Sequence, residues 1–265
     1  MNVETAIGNW RAFQGTGVKD STRHYHGEIA KIILDRWPDH QQEVSTVDET
    51  QLANFLPLIA HYSAPRFNAV ISVLKSIFPV AGIKLRFRAV KIKERPNLSQ
   101  LQFSGLLAEL DTRPRSHSGL IVRFLSVTGL RIGTARKLRW SDIKGDYILC
   151  PGSIMKSGKA SMVPFVAGTA EILERLRAVT GTNEFILPSA SVQTALRRAC
   201  RVVGLPRLSH HDFRHLFATR CIESGVDLPT AARWLSHQDG GALLGRVYFH
   251  LADAHSREMA QMVRI

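Results

Sequence analysis

A strongly basic run divides the chain into two parts. Residues 82–97, GIKLRFRAVKIKERPN, contain six Lys or Arg side chains and one acid, and Pro96 interrupts the run near its end. Residues 1–80 hold seven basic and eight acidic side chains, whereas the other 185 residues hold 28 and 14. Such an uneven charge distribution predicts two domains, 1–81 and 98–265, joined by a basic linker over 82–97.

The linker has two interpretations. Its basic side chains partly alternate with Leu85, Phe87 and other apolar residues, which is typical of a solvated strand. A strap lying along phosphates fits the same pattern and the net charge of +13. The candidate phosphate contacts of this strap are Lys84, Arg86, Arg88, Lys91 and Lys93.

The charge makes a polyanion such as DNA the expected large partner, although ribosomal or membrane-surface binding fits the charge alone. The three cysteines show no CxxC spacing and no Cys/His cluster, so neither a disulfide framework nor a metal site is expected. No signal sequence and no apolar run of membrane-spanning length occur, which favours a cytoplasmic, nucleoid-associated protein without a membrane partner.

The first domain has helical periodicity throughout. Ser21 precedes one helical pattern, and Asp48 with Gln51 forms a capping-box-like start of a second. Ser63 precedes a third pattern, which Pro79 is expected to stop. The aromatic residues of this domain are expected in its core: Trp10, Phe13, Trp37, Phe55, Phe67 and Phe78.

The second domain is predicted to be mainly α with a small antiparallel sheet, an α+β fold. Ser99 can cap a helix that runs to Asp111, and a buried helix is expected to end in a left-handed cap at Gly129. A further helix is expected from Arg131 to Leu138. Residues 147–165 read as a strand and a hairpin. Helical patterns follow over 169–179, 191–203, 212–224, 229–235 and after Tyr248.

Four separated segments of this domain place basic or phenolic residues in unusual settings. In TGLRIG, Arg131 stands at a helix start, where a cation opposes the helix dipole unless an anion is held there. The hairpin segment KSGK contains Lys156 and Lys159. The other candidates are His211 and Arg214 in HDFR, with His210 and His215 as close neighbours, and His237 and Tyr248 in the LSH to YFHL segment.

These four segments, in this order, resemble the catalytic domain of the tyrosine recombinase family, also called phage integrases, over about residues 99–260. The helical first domain is similar in length to the core-binding (SAM-like) domain of that family. The resemblance implies two phosphate-binding arginines, Arg131 and Arg214, and a nucleophile, Tyr248. It further implies that His211 accepts the phenolic proton, that Lys156 or its neighbour Lys159 protonates the leaving group, and that His237 binds the phosphate.

The resemblance implies a site-specific recombinase that cleaves double-stranded DNA through a 3′-phosphotyrosyl link and acts as a tetramer without metal, ATP or other cofactor. A catalytically idle DNA-binding regulator and a type IB topoisomerase are the alternatives. Two residues depart from the family pattern. Thr134 stands where many members have an acid, so Asp142 or Asp212 would have to orient Arg131, and Ser236 replaces the glycine before the histidine.

Overall fold

The computed structural model describes residues 1–78, 85–90, 96–113, 117–188, 192–236 and residue 245. The chain divides into two compact units, Met1–Lys93 and Glu94–Ile265. The described residues are mainly helical with one small antiparallel sheet, which confirms the predicted fold class. Among them, no helix is both long and apolar enough to cross a membrane.

The described residues of the first unit form four α-helices: α1 (Val3–Gly15), α2 (Asp20–Leu34), α3 (Glu49–Phe55) and α4 (Ala64–Ile77). The predicted capping box of α3 is confirmed, because the Gln51 amide donates to the Asp48 carboxylate at 2.8 Å and the Asp48 amide donates to the Gln51 side chain at 3.1 Å. Such reciprocal bonds satisfy two backbone donors that the first helical turn leaves unpaired.

The core of the first unit contains most of the predicted aromatic residues. Trp37 stacks on Phe78 with a centroid separation of 4.9 Å, and Phe55 and Phe67 are buried. The prediction for Phe13 is wrong, because its side chain is 78% exposed. Phe13 lies in the last turn of α1, whereas the buried positions of this helix, Val3, Ala6 and Ile7, are confined to its first turns, so the end of the helix extends beyond the core.

The second unit contains seven described helices: α5 (Gln100–Asp111), α6 (Ser118–Thr128), α7 (Ile132–Ala135), α8 (Thr169–Thr180), α9 (Gln193–Val202), α10 (His210–Glu223) and α11 (Leu228–Trp234). Its sheet has the order β1 (Ile143–Lys144), β2 (Tyr147–Cys150), β3 (Ser161–Pro164). The antiparallel β2–β3 register pairs Ile148 with Val163, and both are buried. The predicted strand at Tyr147–Cys150 is confirmed, but the hairpin is formed by this strand with β3, and Gly152–Ile154 between them is a 3-10 helix.

Two predicted helix ends have opposite outcomes. The left-handed cap of α6 is confirmed, since Gly129 has a φ of 61°. The helix predicted to reach Leu138 is too long, because α7 ends at Ala135. The Leu138 carbonyl accepts a hydrogen bond at 3.0 Å from the Ile186 amide, so the backbone here pairs with a distant segment instead of continuing the helix.

Candidate active site

Arg214 lies in the first turns of α10, which begins with a capping box. The Ser209 amide and hydroxyl donate to the Asp212 carboxylate at 2.6 and 2.7 Å. Arg214 is only 8% exposed, and its guanidinium donates to the Gly129 carbonyl at 2.7 Å and to the Leu235 carbonyl. A buried cation needs such partners, because burial without them is costly. One guanidinium therefore joins the ends of α6 and α11 to α10.

Gly129 is required at its position by both conformation and space. Its φ of 61° lies in the left-handed region, which disfavours residues with a Cβ. A Cβ there would lie 2.4 Å from a ring carbon of Phe217 and 2.7 Å from a methyl carbon of Leu235. Close approach of α10 and α11 to this turn thus depends on glycine, and it lets the Gly129 carbonyl reach Arg214.

Arg131 follows this turn and is the N-cap residue of α7. Its side chain is half-buried, and within the described part of the chain its guanidinium makes no hydrogen bond or ion pair. Because α7 has only four residues, its dipole is small and does not by itself favour an anion at Arg131. Arg131 is thus a half-buried cation two residues after Gly129, whose carbonyl binds Arg214.

The two carboxylates considered as partners of Arg131 both cap backbone amides. Asp142 accepts a hydrogen bond from the Arg139 amide at 2.8 Å, and Asp212 accepts from Ser209 as described above. Thr134, at the position where many family members carry an acid, is 5% exposed. The threonine thus occupies an interior position without bringing a charge.

The three histidines near the start of α10 differ in environment. His211 is exposed and His215 is half-buried. His210 is half-buried, and within the described residues its Nε2 is a buried atom without a hydrogen-bond partner. Burial lowers the pKa of His210, and the nearby charges of Arg136 and His211 lower it further. The sequence did not show which of these histidines is buried, and it did not show that the charge of Arg136 acts on His210.

Lys156 and Lys159 lie in the connection between β2 and β3, and both are exposed. Gly158, between them, has a φ of 74°. A Cβ on Gly152 would lie 2.4 Å from the Gly158 carbonyl oxygen, so the two glycines pack closely at the base of this turn. Lys159 lines a groove of about 790 Å³ between the hairpin and α11, together with Arg233, Trp234 and other residues.

Helix α11 directly precedes the predicted His237 segment, and both of its ends are fixed by side chains. The Asp227 carboxylate caps α11 by accepting from the Thr230 amide at 2.8 Å, and this hydrogen bond lowers the pKa of Asp227. Ser236 follows α11 with a φ of 53°, and its hydroxyl lies 2.7 Å from the Ser161 hydroxyl at the start of β3. His237 and Tyr248 themselves lie outside the described residues.

Two predicted linker contacts fall within the described residues. Arg86 is exposed, but Arg88 is bound into the first unit: its guanidinium donates to the Ala60 carbonyl at 2.8 Å and lies 3.8 Å above the Phe67 ring. Its backbone pairs with the Asn68 side chain at 2.8 and 2.9 Å. Lys84, Lys91 and Lys93 lie outside the described residues.

Neither thiol nor metal chemistry has a centre in the described part of the chain. Burial raises the pKa of Cys150 to about 12 and that of Cys221 to about 11, so both thiols are protonated at neutral pH. No group of three or more His, Cys, Asp or Glu side chains that could hold a metal ion occurs among the described residues.

Comparison with known proteins identifies the family. The phage integrase family profile matches residues 96–255, which is more than half of the chain. The chain belongs to the phage integrase family. The resemblance to tyrosine recombinases that the four motifs predicted is thereby confirmed. The match includes all six predicted catalytic positions, from Arg131 to Tyr248.

Relatives of this family member are found by sequence and by structure. It is 25% identical to the tyrosine recombinase XerA of Pyrococcus furiosus over 222 residues, covering 77% of this chain and 76% of the relative. A transposon Tn1549 integrase solved with circular intermediate DNA shares the fold with a TM-score of 0.79 and 15% identity, covering 99% and 100% of the chains. A lambda integrase solved as a tetramer bound to a Holliday junction shares the fold with a TM-score of 0.71 and 22% identity, covering 90% of this chain and 78% of that chain.

Proposed function

We propose that this protein is a site-specific tyrosine recombinase that cleaves and rejoins DNA strands through a 3′-phosphotyrosyl intermediate. The observation that carries the proposal is the position of Arg214. Its buried guanidinium bonds to Gly129 of TGLRIG and to Leu235, two residues before His237. Three of the four motifs therefore meet at one side chain, in a chain of the phage integrase family.

The proposed chemistry assigns a role to each candidate. The Tyr248 oxygen attacks a DNA phosphodiester, and the guanidiniums of Arg131 and Arg214 bind the phosphate oxygens and stabilise the charge of the transition state. A phenol has a pKa near 10, so forming phenolate at pH 7 costs about 4 kcal/mol. His211 accepts this proton, Lys156 protonates the departing 5′ oxygen, and His237 binds the phosphate.

The covalent link conserves the energy of the broken bond. The released 5′-hydroxyl of a partner duplex attacks the phosphotyrosine, reforms a phosphodiester and releases the tyrosine. Because each step exchanges one phosphate ester for another, rejoining requires no nucleotide hydrolysis. Arginines suit the task because the guanidinium stays protonated at any working pH and its planar fork matches two phosphate oxygens.

Double-stranded DNA is the proposed partner, and the charge distribution supports this. Residues 81–265 carry a net charge of +14 and residues 1–80 a net charge of −1, as expected for a protein whose second part neutralises phosphates. Arg88 is the least available of the proposed phosphate contacts, because its guanidinium is used within the first unit. The proposed contacts are Lys84, Arg86, Arg88, Lys91, Lys93 and Lys159. The lambda integrase solved as a tetramer on a Holliday junction supports a tetrameric synaptic complex here.

The proposed domain organisation is a helical core-binding domain over 1–81, a linker over 82–97 and a catalytic domain over 98–265. The division into compact units between Lys93 and Glu94 falls within this linker. As a DNA-acting enzyme, the protein is proposed to work in the cytoplasm in association with the nucleoid.

A nicked duplex that traps the covalent intermediate tests the function. The duplex carries the sequence that the pure protein selects from a random double-stranded library, with a nick that lets the short cleaved strand diffuse away. We expect a covalent adduct between wild-type protein and DNA, and none with Tyr248→Phe at equal DNA affinity. The variant is well matched because it removes only the phenolic hydroxyl.

The two alternatives give different results in the same system. A DNA-binding regulator would bind the selected duplex without forming an adduct. A type IB topoisomerase would form the adduct and relax a supercoiled plasmid without exchanging strands between two labelled sites. Strand exchange between labelled duplexes therefore decides among the three activities.

A further inference from the structure

We propose that the hydroxyl pair of Ser161 and Ser236 is a positioning contact that fixes the lysine-bearing hairpin relative to the C-terminal end of α11. The inference rests on the proposed recombinase function. Neither serine is assigned contact with DNA; both act through the residues beside them.

Ser236 adopts a backbone conformation that its side chain opposes. Its φ of 53° lies in the left-handed region, where a Cβ approaches the neighbouring carbonyl oxygen. Among the described residues other than glycine, only His117 shares this property, with a φ of 49°. Glycine would relieve the strain at position 236, but it would lack the hydroxyl.

The hydroxyl of Ser236 has a specific partner. Its Oγ lies 2.7 Å from the Ser161 Oγ, a strong hydrogen-bond distance between residues 75 positions apart. Ser161 also lies 3.5 Å from the Arg233 carbonyl of α11. Both serines line the groove between the hairpin and α11, so the pair closes one part of the groove.

The two partners are attached to different parts of the catalytic machinery. Ser161 is paired with Cys150 in the β2–β3 ladder and comes two residues after Lys159. Ser236 directly precedes His237. The contact therefore links the hairpin, in which Lys159 lies two and Lys156 five residues before Ser161, to the last described residue before His237.

This link matters because both lysines are exposed at a turn. An exposed lysine samples many rotamers, and catalysis requires the reacting groups to be held to within a fraction of an ångström. A second attachment of the hairpin, besides its ladder, restricts where the turn can lie. Loss of the contact should lower the rate of cleavage more than it lowers DNA affinity.

The test compares Ser236→Gly, Ser161→Ala and the double variant with wild type on the nicked duplex. We expect each single variant to form the adduct about tenfold more slowly, with DNA affinity within twofold of wild type. The double variant should be no slower than either single variant, because both remove the same contact. Ser161→Thr, which keeps the hydroxyl, should restore the rate.

Thermal stability separates positioning from simple support of the fold. Ser236→Gly relieves backbone strain, so its melting temperature should equal or exceed that of wild type while its cleavage rate falls. His117→Gly is the matched control, since it relieves the same kind of strain elsewhere and should leave the cleavage rate unchanged. This opposition of stability and activity is not expected from a purely structural contact.

Three results would overturn the inference: wild-type rates in both single variants, effects that multiply in the double variant, or a rate loss that follows a fall in melting temperature. Wild-type protein that binds the duplex without forming an adduct would instead overturn the proposed function and, with it, this contact's role. The wild-type reaction thus distinguishes the two failures.

Discussion

The turn at Gly129 supports the packing around Arg214, and a single methyl group should disrupt it. In Gly129→Ala the added Cβ would lie within 2.4 Å of Phe217 and 2.7 Å of Leu235 if nothing moved. The residue would also retain a left-handed φ of 61°. Both effects act on the folded state, so we expect a marked loss of stability.

The magnitude follows from the two costs. A non-glycine residue in the left-handed region costs about 1–2 kcal/mol. Overpacking a close contact costs about 1–3 kcal/mol, and the ring of Phe217 cannot easily withdraw because it is 3% exposed. Together they lower the free energy of unfolding by about 2–5 kcal/mol, which corresponds to a fall in melting temperature of roughly 5–20 °C for a domain of this size.

Differential scanning calorimetry of Gly129→Ala and Gly133→Ala measures this effect with an internal control. Gly133 belongs to the same TGLRIG motif, but a Cβ there has no neighbour within 4 Å. Alanine at position 133 lies in helix α7 and should stabilise the protein slightly, by about 0.5–1 kcal/mol. A melting temperature for Gly129→Ala within about 2 °C of wild type would refute this expectation, because so small a shift corresponds to less than about 1 kcal/mol of stability.

Three further predictions concern charged and titrating groups. Arg88→Ala should lower the melting temperature, because it removes the hydrogen bond to the Ala60 carbonyl and the stacking on Phe67. Arg86→Ala should instead reduce the slope of the logarithm of DNA affinity against the logarithm of salt concentration by about 1. Because the folded state lowers the pKa of His210, the unfolded chain binds the imidazole proton more tightly than the folded chain does. The free energy of unfolding should therefore fall as the pH drops below about 6.5, and it should fall less steeply in His210→Gln. Urea titrations at several pH values measure both slopes. Arg131→Ala should lose cleavage with little change in melting temperature, whereas Arg214→Ala should lose cleavage and about 3 kcal/mol of stability, because it leaves two carbonyls without their donor; equal melting temperatures would contradict this.

Features set by neighbouring residues could be predicted from the sequence. The capping box of Asp48 with Gln51 and the helix cap at Ser99 depend on residues within one turn, and both are present. The left-handed end of α6 depends on glycine alone, and Gly129 confirms it. A turn at Gly158, where φ is 74°, likewise depends on glycine, although the connection from β2 to β3 spans ten residues.

Features set by distant partners could not be predicted in this way. The helix at Arg131 is short because Leu138 pairs with Ile186, which no local pattern reveals. The contact between Ser236 and Ser161 spans 75 positions. The sequence marked Ser236 as a departure from glycine, but only the three-dimensional arrangement supplies a partner for its hydroxyl.

Arg214 and Arg131 carry different information about catalysis, although both belong to the same proposed pair. Arg214 holds the ends of α6 and α11 through two carbonyls, so the fold needs it whether or not the protein cleaves DNA. A regulator on this scaffold would therefore retain it. Arg131 makes no hydrogen bond or ion pair within the described ranges, so the fold gains little from its charge. A half-buried cation that the described part of the fold does not use fits an anionic ligand, so substitution of Arg131 separates the proposed enzyme from a regulator better than substitution of Arg214 does.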